Sequence, residues 1–180
     1  MRILKLKSDV DRYRWLALVD DSDARILSDL HDGPAGTAWK PVRAEWIEED
    51  TKEEKAKSDF PTLGTTPVFS ERAVDTLLDL LVENGEILPL EVEGERYFAY
   101  NVTRTLDALD QDRSAIIRYP TGRILDVTRY VFLPEKLDGA AIFRLPQFRG
   151  RAFVTDEFTR RIRDYELTGF GLVEVWSSDA

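Results

Sequence analysis

His31 is the single histidine of the chain, and the carboxylate of Asp32 follows it directly. An imidazole beside a carboxylate is a pair that general base catalysis uses. No Gly-x-Ser-x-Gly sequence accompanies the pair, and no serine stands in the context of a nucleophile. Cysteine is absent, which excludes thiol nucleophiles and cysteine-ligated zinc, and one histidine cannot supply a site of two histidine ligands. We therefore interpret His31 as a surface-loop residue.

Acidic side chains offer a second kind of chemistry. Asp20, Asp21 and Asp23 carry the oxygen ligands that Ca²⁺ and Mg²⁺ accept. Their spacing lacks the pattern of an EF-hand loop, so we interpret them as a solvated turn. The chain has neither a P-loop nor a Gly-x-Gly-x-x-Gly fingerprint, and we expect no cofactor. A metal-dependent hydrolase or nuclease that uses Asp and Glu ligands stays the alternative function.

Basic side chains concentrate in one region, with Phe148 and Phe153 between them. Guanidinium and aromatic groups together can bind phosphates and stacked bases. The chain as a whole has 25 basic and 34 acidic residues, a net charge of −9, which disfavours a nucleic-acid partner. We expect no nucleic-acid binding, and we expect these arginines to pair with acidic residues of the first part of the chain. The arginines concerned are Arg144, Arg149, Arg151, Arg160, Arg161 and Arg163.

The excess negative charge lies entirely in the first part of the chain. Residues 1–100 hold 13 basic and 22 acidic residues, whereas residues 101–180 hold 12 of each. Uneven charge of this kind indicates either an acidic face for a cationic partner or a surface charged for solubility. The stretch 45–59 alone has seven acidic residues and three lysines, and we expect an exposed helix or a mobile excursion there.

Four tryptophans complete the candidate residues. Trp15 and Trp176 lie in apolar runs and are expected in the core. Trp39 and Trp46 lie in or beside a loop and the acidic stretch. An exposed tryptophan among charges is typical of an interface hot spot, and packing beneath the long loop is the alternative.

Two helices are predicted by apolar residues at helical intervals. The first covers residues 70–84, with Ser70 as its N-terminal cap and Gly85 as its stop. The second covers residues 155–166, with Thr155 as cap and Gly169 as stop. Their apolar positions are Val74, Leu77, Leu78, Leu81 and Val82 in the first helix and Phe158, Ile162 and Tyr165 in the second.

Short extended segments fill most of the remaining chain. Glu93-Gly94 and Pro120-Thr121-Gly122 are turn sequences, and each joins two predicted strands into a hairpin. Strands outnumber helices and do not alternate with them, which predicts an α+β fold with a mostly antiparallel sheet and two main helices. The predicted strands are residues 2–6, 13–19, 87–92, 96–102, 116–119, 123–127 and 170–176.

No apolar run reaches the ~7–15 residues of a secretory signal core or the ~20 residues of a membrane span. We therefore expect a cytoplasmic protein without a membrane partner. The chain also lacks coiled-coil heptads, which disfavours a scaffold or oligomerisation module.

Five short motifs of the second part follow one another in a characteristic order. Over roughly residues 68–176 the chain resembles a bacterial family of polymorphic-toxin immunity proteins, formerly a domain of unknown function with a myxobacterial founder. The motifs are Phe69–Asp75 with Gly85–Leu90, Tyr97–Thr103 with Leu106–Asp110, Phe132–Leu137 with Ile142–Pro146, Val154–Phe158, and Leu167–Phe170 with Val175-Trp176.

The resemblance implies a non-enzymatic protein that binds and neutralises a cognate toxin, often suspected to be a nuclease. It supplies no catalytic residues. It also implies a division into a variable acidic part, residues 1–67, and an immunity-protein-like part, residues 68–180, packed together as one domain.

The acidic first part then gains a candidate role. Toxins that cut nucleic acid present cationic surfaces to phosphate, so an acidic inhibitor can block them and associate rapidly. We therefore predict an acidic toxin interface with two tryptophans. Its candidate residues are Trp39, Glu45, Trp46, Glu48, Glu49, Asp50, Glu53 and Glu54.

Overall fold

The computed structural model describes residues 1–47, 55–137 and 139–178. Mostly antiparallel sheets dominate them, which confirms the α+β class, although strand content is high and a third, short helix joins the two predicted ones. The strands are β1 (Arg2–Lys5), β2 (Leu16–Leu18), β3 (Arg43–Trp46), β4 (Thr62–Leu63), β5 (Thr66–Ser70), β6 (Gly85–Pro89), β7 (Glu91–Val92), β8 (Tyr97–Val102), β9 (Ala115–Arg118), β10 (Ile124–Arg129), β11 (Ile142–Leu145), β12 (Phe148–Thr155) and β13 (Val173–Ser177). The helices are α1 (Ala24–Asp29), α2 (Glu71–Val82) and α3 (Asp156–Asp164).

The N-terminal strand lies inside a sheet whose other strands come from the end of the chain. The strand order is β11-β12-β1-β13, and all neighbours are antiparallel. Ile3 packs in one core cluster with Phe143 and Phe153, whereas Leu4 packs in another with Val154 and residues of α2 and α3. Because both faces of β1 are covered, its residues alternate between two cores rather than between core and water.

Helix α2 packs on a second sheet, of order β4-β5-β8-β6. Its N-terminal cap is confirmed, because Ser70 Oγ accepts a hydrogen bond from the backbone N–H of Ala73 at 3.1 Å.

The predicted apolar face of α2 is partly wrong. Leu78 and Val82 are 46% and 58% exposed, and Leu80 is buried instead. The apolar spacing gives the period of the helix but not the rotation of its buried stripe. Ala73 and Leu80 extend that stripe on one side, so Leu78 and Val82 face outward. The buried residues are Ala73, Val74, Leu77, Leu80 and Leu81.

Gly85 has a structural role other than the predicted one. It begins β6 and its φ is not positive, so it is not a left-handed stop for α2. A Cβ at this position would lie 2.2 Å from the carbonyl oxygen of Asn101 and 2.6 Å from the ring of Tyr100. The neighbouring strand β8 therefore leaves no room for a side chain.

Helix α3 is shorter than predicted. Phe158 and Ile162 are buried as expected, but Tyr165 is 57% exposed because it follows the last helical residue. Thr155 precedes the helix as predicted, yet its hydroxyl makes no capping hydrogen bond among the described residues.

The C-terminal end of α3 is closed by a residue that the sequence did not indicate. Glu166 adopts a left-handed φ of 50°. The backbone N–H of Leu167 then donates to the carbonyl of Ile162 at 2.9 Å, as in a Schellman motif. Gly169 was expected to stop the helix, but it lies beyond this closure and turns the chain, with a φ of 85°.

Both predicted hairpin turns are present. β9 and β10 pair in antiparallel fashion, and Gly122 in their connection has a φ of 84°. Gly94 has a φ of 69° between β7 and β8. The positive φ explains why glycine occupies each turn.

A third sheet, of order β2-β3-β7, includes the one parallel pair of named strands in the described ranges, β3 with β7. The charge pattern predicts a helix or an excursion over residues 45–59. Glu45 and Trp46 instead end β3, and residues 48–54 lie outside the described residues. β3 escapes prediction because charged Arg43 and Glu45 obscure its apolar residues. None of the described helices is long and apolar enough to cross a membrane.

Candidate partner-binding surface

The predicted interface residues fall into two groups. Glu45 is exposed on β3, and Trp46 and Trp39 are half-buried. Both tryptophans pack against a core cluster formed by β2, β3, α1 and the second sheet. This packing agrees with the alternative that places them beneath the long loop, and their part in an interface stays a prediction. The other candidates, Glu48, Glu49, Asp50, Glu53 and Glu54, lie outside the described residues.

Trp46 is fixed by a set of contacts that we call the Glu95 cluster, formed by Arg14, Trp46, Lys57, Glu95 and Tyr97. The indole Nε1 donates to Glu95 Oε2 at 2.7 Å. The ring meets Tyr97 edge-on, with centroids 5.4 Å apart and planes at 80°. Lys57 Nζ and the Arg14 guanidinium lie 5.3 Å and 5.9 Å from its centroid. Trp46 is thus oriented before any partner arrives.

Glu95 links the two ends of the acidic stretch, residues 45–59. Its Oε2 also accepts a hydrogen bond from Lys57 Nζ at 2.8 Å, so residues 46 and 57 bind the same carboxylate. Burial opposes ionisation of Glu95, but the hydrogen bonds from Lys57 and Trp46 outweigh it and lower the pKa. The carboxylate therefore remains charged and holds both donors at neutral pH.

Further backbone contacts bind the same two flanks. The N–H of Ile47 donates to the carbonyl of Trp15 at 3.0 Å, and the N–H of Arg14 donates to the carbonyl of Ala56 at 3.0 Å. Arg14 and Trp15 therefore contact both ends of the acidic stretch.

Asp59, the last residue of this stretch, anchors the chain there. Its carboxylate is almost fully buried and accepts hydrogen bonds from Ser70 Oγ at 2.8 Å and Arg72 Nη1 at 2.8 Å. It also accepts from the backbone N–H and the hydroxyl of Thr168, at 2.9 Å and 3.1 Å. One carboxylate thereby ties residue 59 to the start of α2 and to the segment after α3.

The loop that carries Trp39 is held by Glu86 of β6. The Glu86 carboxylate accepts from the backbone N–H groups of Ala35 and Gly36 at 2.7 Å and 2.9 Å. Burial opposes ionisation of Glu86, yet these bonds and one from Asn101 prevail and lower the pKa. The indole Nε1 of Trp39 donates to the carbonyl of Pro89 at 3.0 Å. The ring therefore lies against β6 with its polar group satisfied.

Behind this loop lies a buried arginine. Arg144 of β11 is 5% exposed and donates to the carbonyl of Leu30 and to Asn101 Oδ1, both at 3.2 Å. Asn101 Nδ2 in turn donates to Glu86 Oε2 at 2.9 Å. Burial lowers the pKa of Arg144 to about 10, so the guanidinium stays protonated at neutral pH. The series Arg144–Asn101–Glu86 positions the Trp39 loop from the core.

Most of these anchors cannot be recognised from the sequence. Glu86, Glu95, Asn101 and Asp59 act through partners far along the chain, and no local pattern marks them. Arg144 did carry a signal, because it stands within the apolar strand Ile142–Leu145, where a charged side chain must be buried.

The expected pairing with carboxylates of the first part is wrong for Arg144, whose two acceptors are neutral, and for Arg160, which has no ion pair in the described residues. The other four grouped arginines have separate partners. Arg149 and Arg161 contact carboxylates of the first part as expected, Asp32 at 3.7 Å and Asp79 at 2.9 Å. The expectation is wrong for two others, which pair within the second part because their neighbours on adjacent elements are acidic. These pairs are Arg151–Asp126 at 2.7 Å and Arg163–Asp164 at 3.2 Å.

The structure shows the surroundings of the candidate catalytic and metal-binding residues. His31 is half-buried; burial and the charge of Arg144 lower its pKa, against the smaller opposing effect of Asp32. Asp20 Oδ1 accepts from the backbone N–H of Ser22 at 2.8 Å and caps the short 3₁₀ helix Asp21–Asp23. Across residues 1–47, 55–137 and 139–178, no three His, Asp or Glu side chains form a group that could hold a metal ion.

Comparison with known proteins adds one family. The model of the immunity protein family (Imm11) matches residues 87–177, which is half of the chain. The matched range runs from β6 to β13 and contains Glu95 and Arg144, whereas Trp39, Glu45 and Trp46 precede it. The match confirms the resemblance that the motifs indicate, although it begins at residue 87 rather than 68. A search of curated proteins finds no match.

Proposed function

This chain belongs to the immunity protein family (Imm11), and from that membership we propose that it binds a cognate bacterial toxin by direct contact and neutralises it. The family match is the observation that carries the proposal. The toxin belongs to a polymorphic toxin system of the same cell or its kin, and the complex forms in the cytoplasm. The chain itself has no catalytic role in this proposal and needs no cofactor.

The acidic first part supports a cationic partner, with a nuclease as the class we favour. Residues 1–100 carry the whole net charge of −9. An acidic inhibitor raises the association rate with a cationic toxin and covers the surface that would bind phosphate.

We place the interface at the acidic stretch and its flanks. Glu45 is exposed beside half-buried Trp46, and the Glu95 cluster fixes Trp46 in orientation. A rigid aromatic side chain loses little conformational entropy on binding, which suits a hot spot. Glu48, Glu49, Asp50, Glu53 and Glu54, together with Trp39, complete the proposed surface.

Co-expression tests this function in the cell. The first step is to examine the neighbouring gene for a large toxin, and the C-terminal effector domain of that toxin, expressed under a separate promoter, is the probe. We expect growth arrest by the effector alone and restored growth when the chain is present. An effector domain taken from an unrelated toxin is the control, and the chain should not rescue cells from it.

Two results would contradict the proposal. One is continued growth arrest although both proteins are present in soluble form. The other is stoichiometric binding of Mg²⁺, Mn²⁺ or Ca²⁺ in calorimetry together with hydrolysis of a nucleic acid, which would support the metal-dependent hydrolase instead.

A further inference from the structure

The hairpin of β9 and β10 is a ribbon with open edges. The two strands pair with each other, and within the described chain neither pairs with a further strand. One side of the ribbon is fixed to the core, where Val127 is buried and Ile116 packs against the same cluster. Unpaired strand edges present backbone N–H and C=O groups that can bind another extended chain.

The ribbon is basic in an acidic protein. Residues 115–129 contain three arginines, Arg118, Arg123 and Arg129, against one aspartate, Asp126. Asp126 is already paired, with Arg151 at 2.7 Å.

The three arginines keep their charge uncompensated. Arg118 donates to the carbonyl of Gly122 at 3.1 Å and to Gln111 Oε1 at 3.0 Å, which are neutral acceptors. Arg129 donates to the carbonyl of Arg113 at 3.3 Å. No carboxylate in the described ranges pairs with Arg118, Arg123 or Arg129. The local charge is thus free to attract an acidic partner.

Apolar side chains stand among these charges. Ile117, Tyr119 and Leu125 are 46%, 47% and 44% exposed. Ile117 lies in β9, and Tyr119 directly follows that strand. Apolar side chains beside open strand edges are a liability in a protein that stays alone, unless a partner covers them.

We propose that the β9–β10 ribbon is a second contact surface for the toxin, at which an acidic, extended segment of the toxin adds to the ribbon's edge. The proposal rests on the proposed function, because the toxin is the occupant. Backbone hydrogen bonds along the edge give affinity, and the arginines and apolar side chains select an acidic segment with apolar residues. The chain then contacts its partner through an acidic surface and a basic one, a charge pattern that fixes the orientation of the complex.

Two other occupants fit the ribbon less well. A nucleic acid would use the arginines but not Ile117 and Leu125, and the net charge of −9 opposes a phosphate backbone. A second copy paired ribbon to ribbon would place the uncompensated arginines against one another. An acidic toxin segment would use the open strand edges, the arginines and the exposed apolar side chains of the ribbon.

Binding kinetics with hairpin variants test the proposal. The probe is a catalytically inactive form of the effector domain used in the co-expression test. The double variant Arg118→Glu with Arg123→Glu reverses two exposed charges of the ribbon, and Leu125→Ser removes an apolar contact. The matched control, Arg160→Glu with Arg163→Glu, makes the same change in net charge on α3. We expect Kd to rise about tenfold or more for the ribbon variants and to change by less than about threefold for the control.

Hydrogen exchange on the unmodified proteins gives an independent measurement. Backbone amides of residues 115–129 should exchange more slowly in the complex than in the free chain. This measurement does not depend on whether a variant folds.

The outcomes separate this proposal from the proposed function. A wild-type chain that binds no effector domain contradicts the function. A wild-type complex with unchanged exchange in residues 115–129 and unaffected ribbon variants overturns the second surface alone, and the arginines then only protect the edge. The second surface is equally overturned if the ribbon variants lose binding to a single-stranded DNA oligonucleotide, or lose a dimer seen by light scattering, while their Kd for the effector domain stays unchanged.

Discussion

Single residues of this chain are constrained by contacts that their local sequence reveals only in part. Ser70 caps α2 as its position predicts, because a cap is a local device that needs only the next turn of helix. The sequence indicates that glycine is required at position 85, but for the wrong reason. The carbonyl of Asn101, on the neighbouring strand β8, leaves no room for a Cβ at this position. Local chemistry is predictable from sequence, whereas steric exclusion by distant residues is not.

Substituting Gly85 tests this close approach. We expect Gly85→Ala to lower the free energy of unfolding by about 2–3 kcal/mol, because its Cβ would meet backbone that has little room to move. Urea denaturation of purified protein measures the change. Gly33→Ala is the matched control, since nothing lies within 4 Å of a Cβ there, and it should have little effect. Equal effects of the two substitutions would contradict the steric explanation.

For Glu166 we expect the opposite effect, a substitution that raises the free energy of unfolding. Its φ of 50° is unfavourable for a residue that has a Cβ, and Glu166 is exposed to solvent. Glu166→Gly should therefore raise the free energy of unfolding by about 0.5–1 kcal/mol. Glu157→Gly, inside α3, should lower the free energy of unfolding by a similar amount. A loss of stability in Glu166→Gly would show that the carboxylate, not the backbone, matters at this position.

At the scale of secondary structure elements, the ends of the acidic stretch and the tryptophan-bearing segments are held by buried and half-buried carboxylates. Glu86 holds the Trp39 loop, Glu95 holds Trp46 and Lys57, and Asp59 holds the residues before β4. The hairpins at Gly94 and Gly122 were predicted because their signals are local. The strand β3 and the anchors were not, because β3 is short and charged and each anchor joins residues that are far apart in the chain.

The Glu86 anchor predicts a pH dependence. Its pKa in the folded protein lies below the ordinary value of 4.5. The stabilisation that the carboxylate provides is therefore complete above pH 4.5 and is lost as the pH falls through the lower folded value. Glu86→Gln should be less stable than the wild type at pH 7, and the difference in urea midpoint should shrink as the pH falls below 4.5.

The control for this prediction is Glu93→Gln. Glu93 is exposed in the turn before β8, and no hydrogen bond to it is seen in the described residues. Its substitution should leave the urea midpoint unchanged. A Glu86→Gln difference that stays constant from pH 7 to pH 3 would show that the carboxylate charge contributes nothing to the loop anchor.

At the scale of the whole molecule, charge separates the chain into an acidic and a basic surface, and both are proposed to contact the toxin. The first 100 residues carry the net charge of −9, whereas the β9–β10 ribbon carries uncompensated arginines. Composition alone predicted the acidic side. It could not predict the basic ribbon. Asp126 is the one acidic residue of the ribbon, and because it pairs with Arg151, the three ribbon arginines have no carboxylate partner in the described residues.

Charge reversal tests the acidic side. The triple variant Glu48→Lys, Glu49→Lys and Glu53→Lys should slow association with the effector domain by about tenfold at low salt and reduce its salt dependence. A matched triple variant, Asp75→Lys, Glu83→Lys and Glu135→Lys, changes the net charge equally at exposed positions outside the acidic stretch. Stopped-flow rates at several salt concentrations distinguish the two. Equal slowing by both variants would assign the effect to total charge rather than to the acidic stretch.

The central claim is that this chain neutralises a toxin by binding it. The most direct measurement is titration of the purified chain into the active effector domain of the neighbouring toxin gene identified for the co-expression test, with complex formation and effector activity recorded in the same experiment. We predict a stoichiometric complex and a loss of effector activity that reaches completion at the equivalence point. Absence of a complex, or a complex that leaves the effector fully active, would contradict the claim.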